Sequence, residues 1–371
     1  MLGSMEKPSA FKNLISAEVV KTIGREISKV YPQFESKQFC KLSSELSSRE
    51  LKSRVLLITE RLKVLLPDDY PSALLILVKV MNAGELRGFS LWPFSEYIGQ
   101  FGLEHFDESL KAMEVMTELF TSEFAVRPFL EKNHKKVLKY FMKSVTHPNA
   151  HVRRWLSEGS RPLLPWGERL PLFIMDPTHT LIILEKLKFD PELYVRKSVA
   201  NHLNDIARNH PQVVVEVLRA WERDCPAEHK AKIDWIKRHA LRVLIKKGYA
   251  PALKLMGAEK AHVKITGIKL QKKTLKLHDV LSFEITVEST QELDQKIIVD
   301  YKIDFIKANG KHGAKIYKLK TLNLKGGSSE TLKKRHSLKP ITTMKYYSGK
   351  HNLSIQINGE IVSKTQFTLK V

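Results

Sequence analysis

Apolar residues recur at helical spacing through the first two thirds of the chain and at every second position through the last third, which predicts two architectures in one polypeptide. Helices are expected over 16–28 and 48–66, the latter from Leu51, Val55, Leu56, Ile58, Leu62 and Leu65. After the turn Asp68-Asp69-Tyr70-Pro71, the strongly apolar run 73–81 reads as a buried helix, and 84–102 as a loop and short helix packing Trp92, Phe94 and Tyr97. From residue 105 a repeat appears. Pro148 and Pro191, Val152 and Val195, and Arg153 and Arg196 are all 43 residues apart, and a weaker third copy starts at Ile236-Lys237-Arg238. Second helices are expected over 178–187 and 212–221. A period in the low forties with two helices per unit is the mark of HEAT-like stacks, because one helix pair cannot bury its apolar face alone. Residues 10–257 are therefore expected to form an α-solenoid.

Beyond Gly257 the alternation Leu281/Phe283/Ile285/Val287, Ile297/Val299/Tyr301/Ile303/Phe305, Leu353/Ile355/Ile357 and Phe367/Leu369 predicts short strands, separated by turns at Asn309-Gly310, Gly326-Gly327 and Asn358-Gly359. Residues 258–371 thus read as an all-β immunoglobulin-like sandwich. A hinge near Gly257 would leave a helical part ending at Met256 able to fold by itself. Residues 1–9 read as a cloning remnant and flexible tail, since a second methionine follows Gly3-Ser4.

Charge adds a partner to this picture. The chain carries 62 Lys+Arg against 40 Asp+Glu, a formal net charge of +22, and residues 260–371 supply 22 of those cations against 9 acids. Such a field attracts a polyanion, with nucleic acid ahead of an anionic membrane surface because no basic amphipathic helix with exposed aromatics is present. Arg153, Arg154, Arg196, Lys197, Arg238 and Arg242 occupy early positions of successive helices and are expected to line one basic groove. Lys333, Lys334 and Arg335 are expected to be loop contacts of the sandwich. Two cysteines, Cys40 and Cys225, provide neither a disulfide framework nor a zinc site, which fits a reducing cytoplasmic setting.

The chemically densest stretch is HPNAHVRRWLSEGSRPLLPWG, residues 147–167. Asn149 can cap a helix on which Arg154 and Glu158 share a face, and Gly159, Pro162 and Pro165 then force a turn that gathers Glu158, Arg161 and Trp166. Spacing alone gives Glu158 a plain reading as the ion-pair partner of Arg154. His147 and His151 read as turn and surface residues.

This stretch, followed by VRKSVANHLNDIARNHP, closely resembles the HEAT-like-repeat alkylpurine DNA glycosylases, in the AlkC branch of the AlkC/AlkD superfamily, and the sandwich resembles the immunoglobulin-like extension of some AlkC members. The SEG and LPWG elements carry the resemblance, since generic HEAT repeats lack them. It implies hydrolysis of the N-glycosidic bond of 3-methyladenine and 3-methylcytosine in double-stranded DNA, by a monomer, without metal or organic cofactor. It places Glu158 of SEG, Trp166 of LPWG, Asp205 of NHLND and Glu123 of the short TSEF segment at catalytic positions; Arg161 is expected among the DNA-binding residues, where an arginine on a flanking phosphate fixes register. The chemistry is coherent: an N3-methylated base is already cationic and leaves without a general acid, so the protein must stabilise an oxocarbenium-like sugar and position a water, which carboxylates do. The rival reading is a non-catalytic HEAT scaffold that binds nucleic acid or protein. Glu158, Trp166 and Asp205 gathered in one concave cleft would separate the two.

Overall fold

The computed structural model describes residues 11–341 and 344–371, so the tail expected over 1–9 lies outside the described residues. Within them, fifteen α-helices run from Ala17–Val30 to Ala250–Leu255 and are followed by eight strands. The helix expected over 178–187 forms as Thr178–Leu187, and the others form with shifted ends: Leu51–Leu65, Tyr70–Ala83 and Pro211–Arg223. Ser16 caps the first helix by accepting from the Val19 amide at 3.4 Å, and Asp69 caps Tyr70–Ala83 by accepting from the Ser72 amide at 2.9 Å. The aromatic segment 84–102 resolves into a 3-10 turn, Gly88–Leu91, and the helix Trp92–Phe101, whose Phe94, Tyr97 and Ile98 are buried. No helix among the described residues is long and apolar enough to cross a membrane.

Two compact units result. The first comprises residues up to Asn209 together with Ala231–Ile236, and the second His210–Lys230 with Lys237–Val371. In the first, helix Ala150–Gly159 packs on Leu193–Ile206 through Val152, Trp155 and Leu156 against Val195, Val199 and Leu203, all fully buried. The 43-residue spacing has a structural cause here. Arg153 Nη1 donates to the carbonyls of His147 and Pro148, and Arg196 Nη1 donates to those of Asp190 and Pro191, so each arginine reaches back to hold the turn ahead of its own helix.

In the second unit the strands are β1 (Val263–Leu270), β2 (Thr274–Lys276), β3 (Val280–Ser289), β4 (Gln295–Ile306), β5 (His312–Leu324), β6 (Ser329–Ser337), β7 (Gly349–Ile357) and β8 (Glu360–Lys370). They form a three-stranded sheet, β1-β3-β6, and a five-stranded sheet, β2-β8-β7-β4-β5, in which β2 runs parallel to β8 and the other pairings are antiparallel. Residues Leu281, Phe283, Ile285 and Val287 of β3 join Val299, Tyr301, Ile303, Leu353 and Ile355 in the core between them.

The expected free hinge is corrected by this unit. Leu253 and Ala258 pack on Ile298 of β4, Gln356 Nε2 donates to the Lys246 carbonyl at 3.0 Å, and Asn358 Nδ2 donates to the Glu259 carbonyl at 2.5 Å. The last helices are part of the sandwich's own packing unit, so a chain cut at Met256 leaves their apolar face uncovered. The run Lys333-Lys334-Arg335 is likewise strand β6 and no loop. Strand alternation leaves Lys333 and Arg335 exposed, while Lys334 turns over the Tyr301 ring at 5.7 Å.

Candidate active site

The helix Ala150–Gly159 starts where the Asn149 side chain accepts from the His151 amide at 2.8 Å. It ends at Gly159, where a Cβ would stand 2.8 Å from Val126 Cγ1, so only glycine permits this approach. Its packing on Leu193–Ile206 brings together residues 40 or more positions apart. Glu158 Oε2 accepts from Ser198 Oγ at 2.6 Å, and Oε1 accepts from Arg161 Nη1 at 2.6 Å, with Arg154 Nη2 at 3.4 Å. Arg161 Nε donates to Asp205 Oδ2 at 2.8 Å. Arg154 Nη1 donates to Glu123 Oε2 at 2.5 Å, and Thr121 Oγ1 donates to the same oxygen at 2.8 Å. The result is one continuous chain of charges: Glu123, Arg154, Glu158, Arg161, Asp205.

All three carboxylates are buried, Glu158 at 6%, Asp205 at 4% and Glu123 at 8% exposure. Three carboxylates are joined to two guanidinium groups where solvent screens charge poorly, and the charges of Arg208 and Arg127 also act on Asp205. Burial pushes the Asp205 carboxyl above the usual range against the opposing hydrogen bond and charge of Arg161. Burial pulls on Arg154 and Arg161 too, but the neighbouring carboxylates hold both above the ordinary arginine value. Glu123 Oε1 and Asp205 Oδ1 have no hydrogen-bond partner among the described residues, so two carboxylate oxygens remain for a substrate. Tyr194 lies over the Arg154 guanidinium at 5.2 Å from its ring centre.

Trp166 is placed differently. It is 69% exposed and its φ of 66° lies in the left-handed region, which a bulky residue adopts only where its surroundings impose it. Arg127, which the sequence did not single out, holds the backbone on both sides of it. This arginine is 1% exposed, and it donates from Nε to the Glu168 carbonyl at 2.6 Å, from Nη1 to Gly159 at 3.0 Å and from Nη2 to Arg161 at 3.0 Å. Its signal was an arginine next to Pro128 at the head of the amphipathic helix Arg127–Lys143, on the face that buries Phe129, Leu130, Val137, Leu138 and Phe141. Among the described residues no hydrogen bond or ring contact joins Trp166 to the carboxylates. Its indole meets Phe11 edge-on at 6.1 Å and lines a cleft of about 530 Å³ with Trp92, Phe124 and Arg127.

The expected basic groove is corrected in its arginines. Arg153 is engaged with Asp190 at 2.6 Å as well as with the turn carbonyls, Arg196 holds the next turn, and Arg154 and Arg161 are committed to the carboxylates. Recurrence in register marked a turn-holding role. Lys197 is exposed in the first unit, and Arg238 and Arg242 are exposed in the second. The second unit also holds a groove of about 860 Å³ lined by Lys269, Lys272, Lys333, Lys334 and Arg335 beside Asp279 and Glu284. No three His, Cys, Asp or Glu side chains among the described residues are arranged to hold a metal ion.

HEAT-like helical repeats with a buried acidic cluster, in one chain with an immunoglobulin-like sandwich, define the class. Residues 264–371 match the family model described as Uncharacterised protein YhaZ, C-terminal Ig-like domain. The chain is 38% identical over 359 residues to Uncharacterized protein YhaZ of Bacillus subtilis (strain 168), covering 96% of this chain and 98% of that protein. It is similar, with a TM-score of 0.89 and 37% identity over 98% of this chain and 100% of the other, to a solved structure of Pseudomonas fluorescens alkylpurine DNA glycosylase AlkC bound to DNA containing an abasic site analog. The chain belongs to the AlkC/YhaZ family.

Proposed function

We propose that this protein is a monofunctional DNA repair glycosylase that hydrolyses the N-glycosidic bond of cationic N3-alkylated bases, 3-methyladenine and 3-methylcytosine, in duplex DNA. The observation that carries the reading is the buried run of three carboxylates on two arginines, with two carboxylate oxygens that have no hydrogen-bond partner among the described residues. An already cationic base takes the bonding electron pair with it and departs neutral, and positive charge moves to the sugar. Glu158 and Asp205 stabilise that charge by about 3 kcal/mol each, the size of a well-placed electrostatic group. A carboxylate oxygen accepts the proton of the attacking water, whose oxygen bonds to C1′. Among the described residues no lysine takes part in the network, which favours water over an amine as nucleophile.

In the second unit the cationic sandwich groove and the exposed Arg238 and Arg242, and in the first unit the exposed Lys197, are each suited to hold backbone phosphates. The test is incubation of the full chain with N-methylated duplex DNA and chromatography of the released bases. Free 3-methyladenine, with at least a hundredfold slower single-turnover release by Glu158→Gln, is expected. DNA binding without base release would leave the non-catalytic scaffold.

A further inference from the structure

We propose that Ser198 is a positioning residue, whose hydroxyl sets the orientation of the Glu158 carboxylate toward the substrate. Helix Leu193–Ile206 carries Ser198, His202 and Asp205 at steps of four and three residues, which is a single stripe along one helix face. All three are buried, and all three reach the end of helix Ala150–Gly159 or the turn that follows it. Ser198 Oγ donates to Glu158 Oε2 at 2.6 Å, His202 Nδ1 meets the Ser157 carbonyl at 2.9 Å, and Asp205 Oδ2 accepts from Arg161 Nε at 2.8 Å. The hydrolysis proposed above assigns a task to Asp205 alone among them.

The Ser198 bond differs from what helical hydroxyls do elsewhere in this chain. Ser28, Thr59 and Thr117 each donate to the carbonyl four residues back in their own helix. Ser198 instead sends its one proton to a carboxylate 40 residues away, a charge-assisted bond and so a stronger one. With Arg161 Nη1 on Oε1 at 2.6 Å, both oxygens of Glu158 are held and the carboxylate plane is fixed. The backbone beneath it is held as well. A carbonyl can only accept, so His202 Nδ1 carries the proton and donates to Ser157, the residue before Glu158; the Ser160 hydroxyl reaches the same carbonyl only at 3.4 Å. Burial pulls the His202 ring down to about 3, which keeps it neutral in this tautomer. Glu158 is thus fixed at its side chain and at its backbone by residues one turn apart on the helix that also carries Asp205. One rigid element therefore sets two carboxylates, which is how a site holds charge in place for a transition state without reorganising. Joining the two helices does not require the polar stripe, because Val195, Val199 and Leu203 already pack on Val152, Trp155 and Leu156.

The inference rests on the glycosylase reading, since the orientation of Glu158 matters only if Glu158 acts on a substrate. The experiment measures single-turnover release of 3-methyladenine from methylated duplex by the full chain and by Ser198→Ala, Ser198→Thr and Ser198→Val, together with DNA affinity and melting temperature. Ser198→Thr and Ser198→Val introduce side chains of the same shape that differ in the hydroxyl, so comparing them cancels the effect of added bulk. We expect Ser198→Ala to release base about thirtyfold more slowly, the size of one lost hydrogen bond to a charged group. Its DNA affinity should stay within about twofold of the parent, because the bond acts on the chemical step and not on binding. Ser198→Thr should recover most of the rate, and Ser198→Val should fall with Ser198→Ala. If the two bulkier variants do not fold, Ser198→Ala decides alone: slower release at parental affinity supports the role. A lowered melting temperature with parental release shows a merely structural hydroxyl, and a loss of affinity that accounts for the whole loss of rate shows a residue of DNA binding; either overturns the inference, as do equal rates for folded Ser198→Thr and Ser198→Val. In each of those cases release by the parent leaves the glycosylase reading standing, whereas no release by the parent overturns that reading and this inference with it.

Discussion

Asp205 and Trp166 show how burial sets the behaviour of single residues. The Asp205 carboxyl is raised above the usual range by burial, and it must be ionised to stabilise a cationic sugar. Excision should therefore fall as pH drops through a midpoint above the ordinary carboxylate value near 4, and Asp205→Asn should remove that limb along with most of the rate. A pH profile of single-turnover release checks this, and a limb at or below the ordinary value would remove Asp205 from the role. Trp166 could have been a core tryptophan by sequence, but its 69% exposure rules that out. Trp166→Gly relieves about 1 kcal/mol of left-handed strain and loses a similar amount to backbone entropy. Its melting temperature should stay within about 3 °C of the parent while excision slows about tenfold through the lost indole. A large melting shift with unchanged excision would show a structural residue. Glu158 and Asp205 were legible from SEG and NHLND. Arg127 and Ser198 were not, because their partners are a backbone carbonyl and a side chain 32 and 40 residues away.

Among the elements, those whose periodicity burial enforces were readable from the chain, and those at edges were not. Strands β3, β4, β7 and β8 alternate because one face meets the core. Strands β5 and β6 lie at the edges of their sheets, where charge prevents pairing with other chains, and their lysines hid them. In β4 the alternation fails in the other direction. Ile298 and Asp300 point away from the sandwich core and are still buried; Ile298 is covered by Leu253 and Ala258, and Asp300 lies near Lys246. Burial pushes Asp300 up to about 6, with Lys246 and Lys318 opposing. A folded value above the unfolded one means that the neutral acid suits the fold. The stability it contributes is full below about pH 4 and is lost as pH rises through about 6. Asp300→Asn should then stabilise the second unit by about 2 to 3 kcal/mol at pH 8 and by little at pH 4. Denaturant melts at the two pH values test it, and equal effects at both would show that folding does not raise the Asp300 carboxyl.

For the whole molecule the informative quantity is where the charge sits. Residues 260–371 hold 22 Lys+Arg against 9 Asp+Glu, +13 of the +22 total. Deleting the sandwich would be the simplest test of its part in DNA binding, but Leu253 and Ala258 pack on Ile298 and Gln356 holds the Lys246 carbonyl. A truncated chain would lose stability and charge together, and the two effects could not be told apart. Point substitutions on β6 avoid this. Lys333 and Arg335 are exposed and border the cationic groove, and Lys333 has only a 3.3 Å contact with Glu284, so replacing them leaves the core untouched. Each cation that neutralises a phosphate releases a counterion and adds about 0.9 to the slope of log affinity against log salt. The double variant Lys333→Gln/Arg335→Gln should lower that slope by about 1.8 if both touch DNA, and affinity should converge with the parent as salt rises. Excision at saturating DNA should be unchanged, because neither residue belongs to the carboxylate network. Filter binding across a salt series decides it: a parental slope would place the DNA elsewhere on the protein, while a reduced slope with slowed saturated excision would show that the sandwich also positions the lesion.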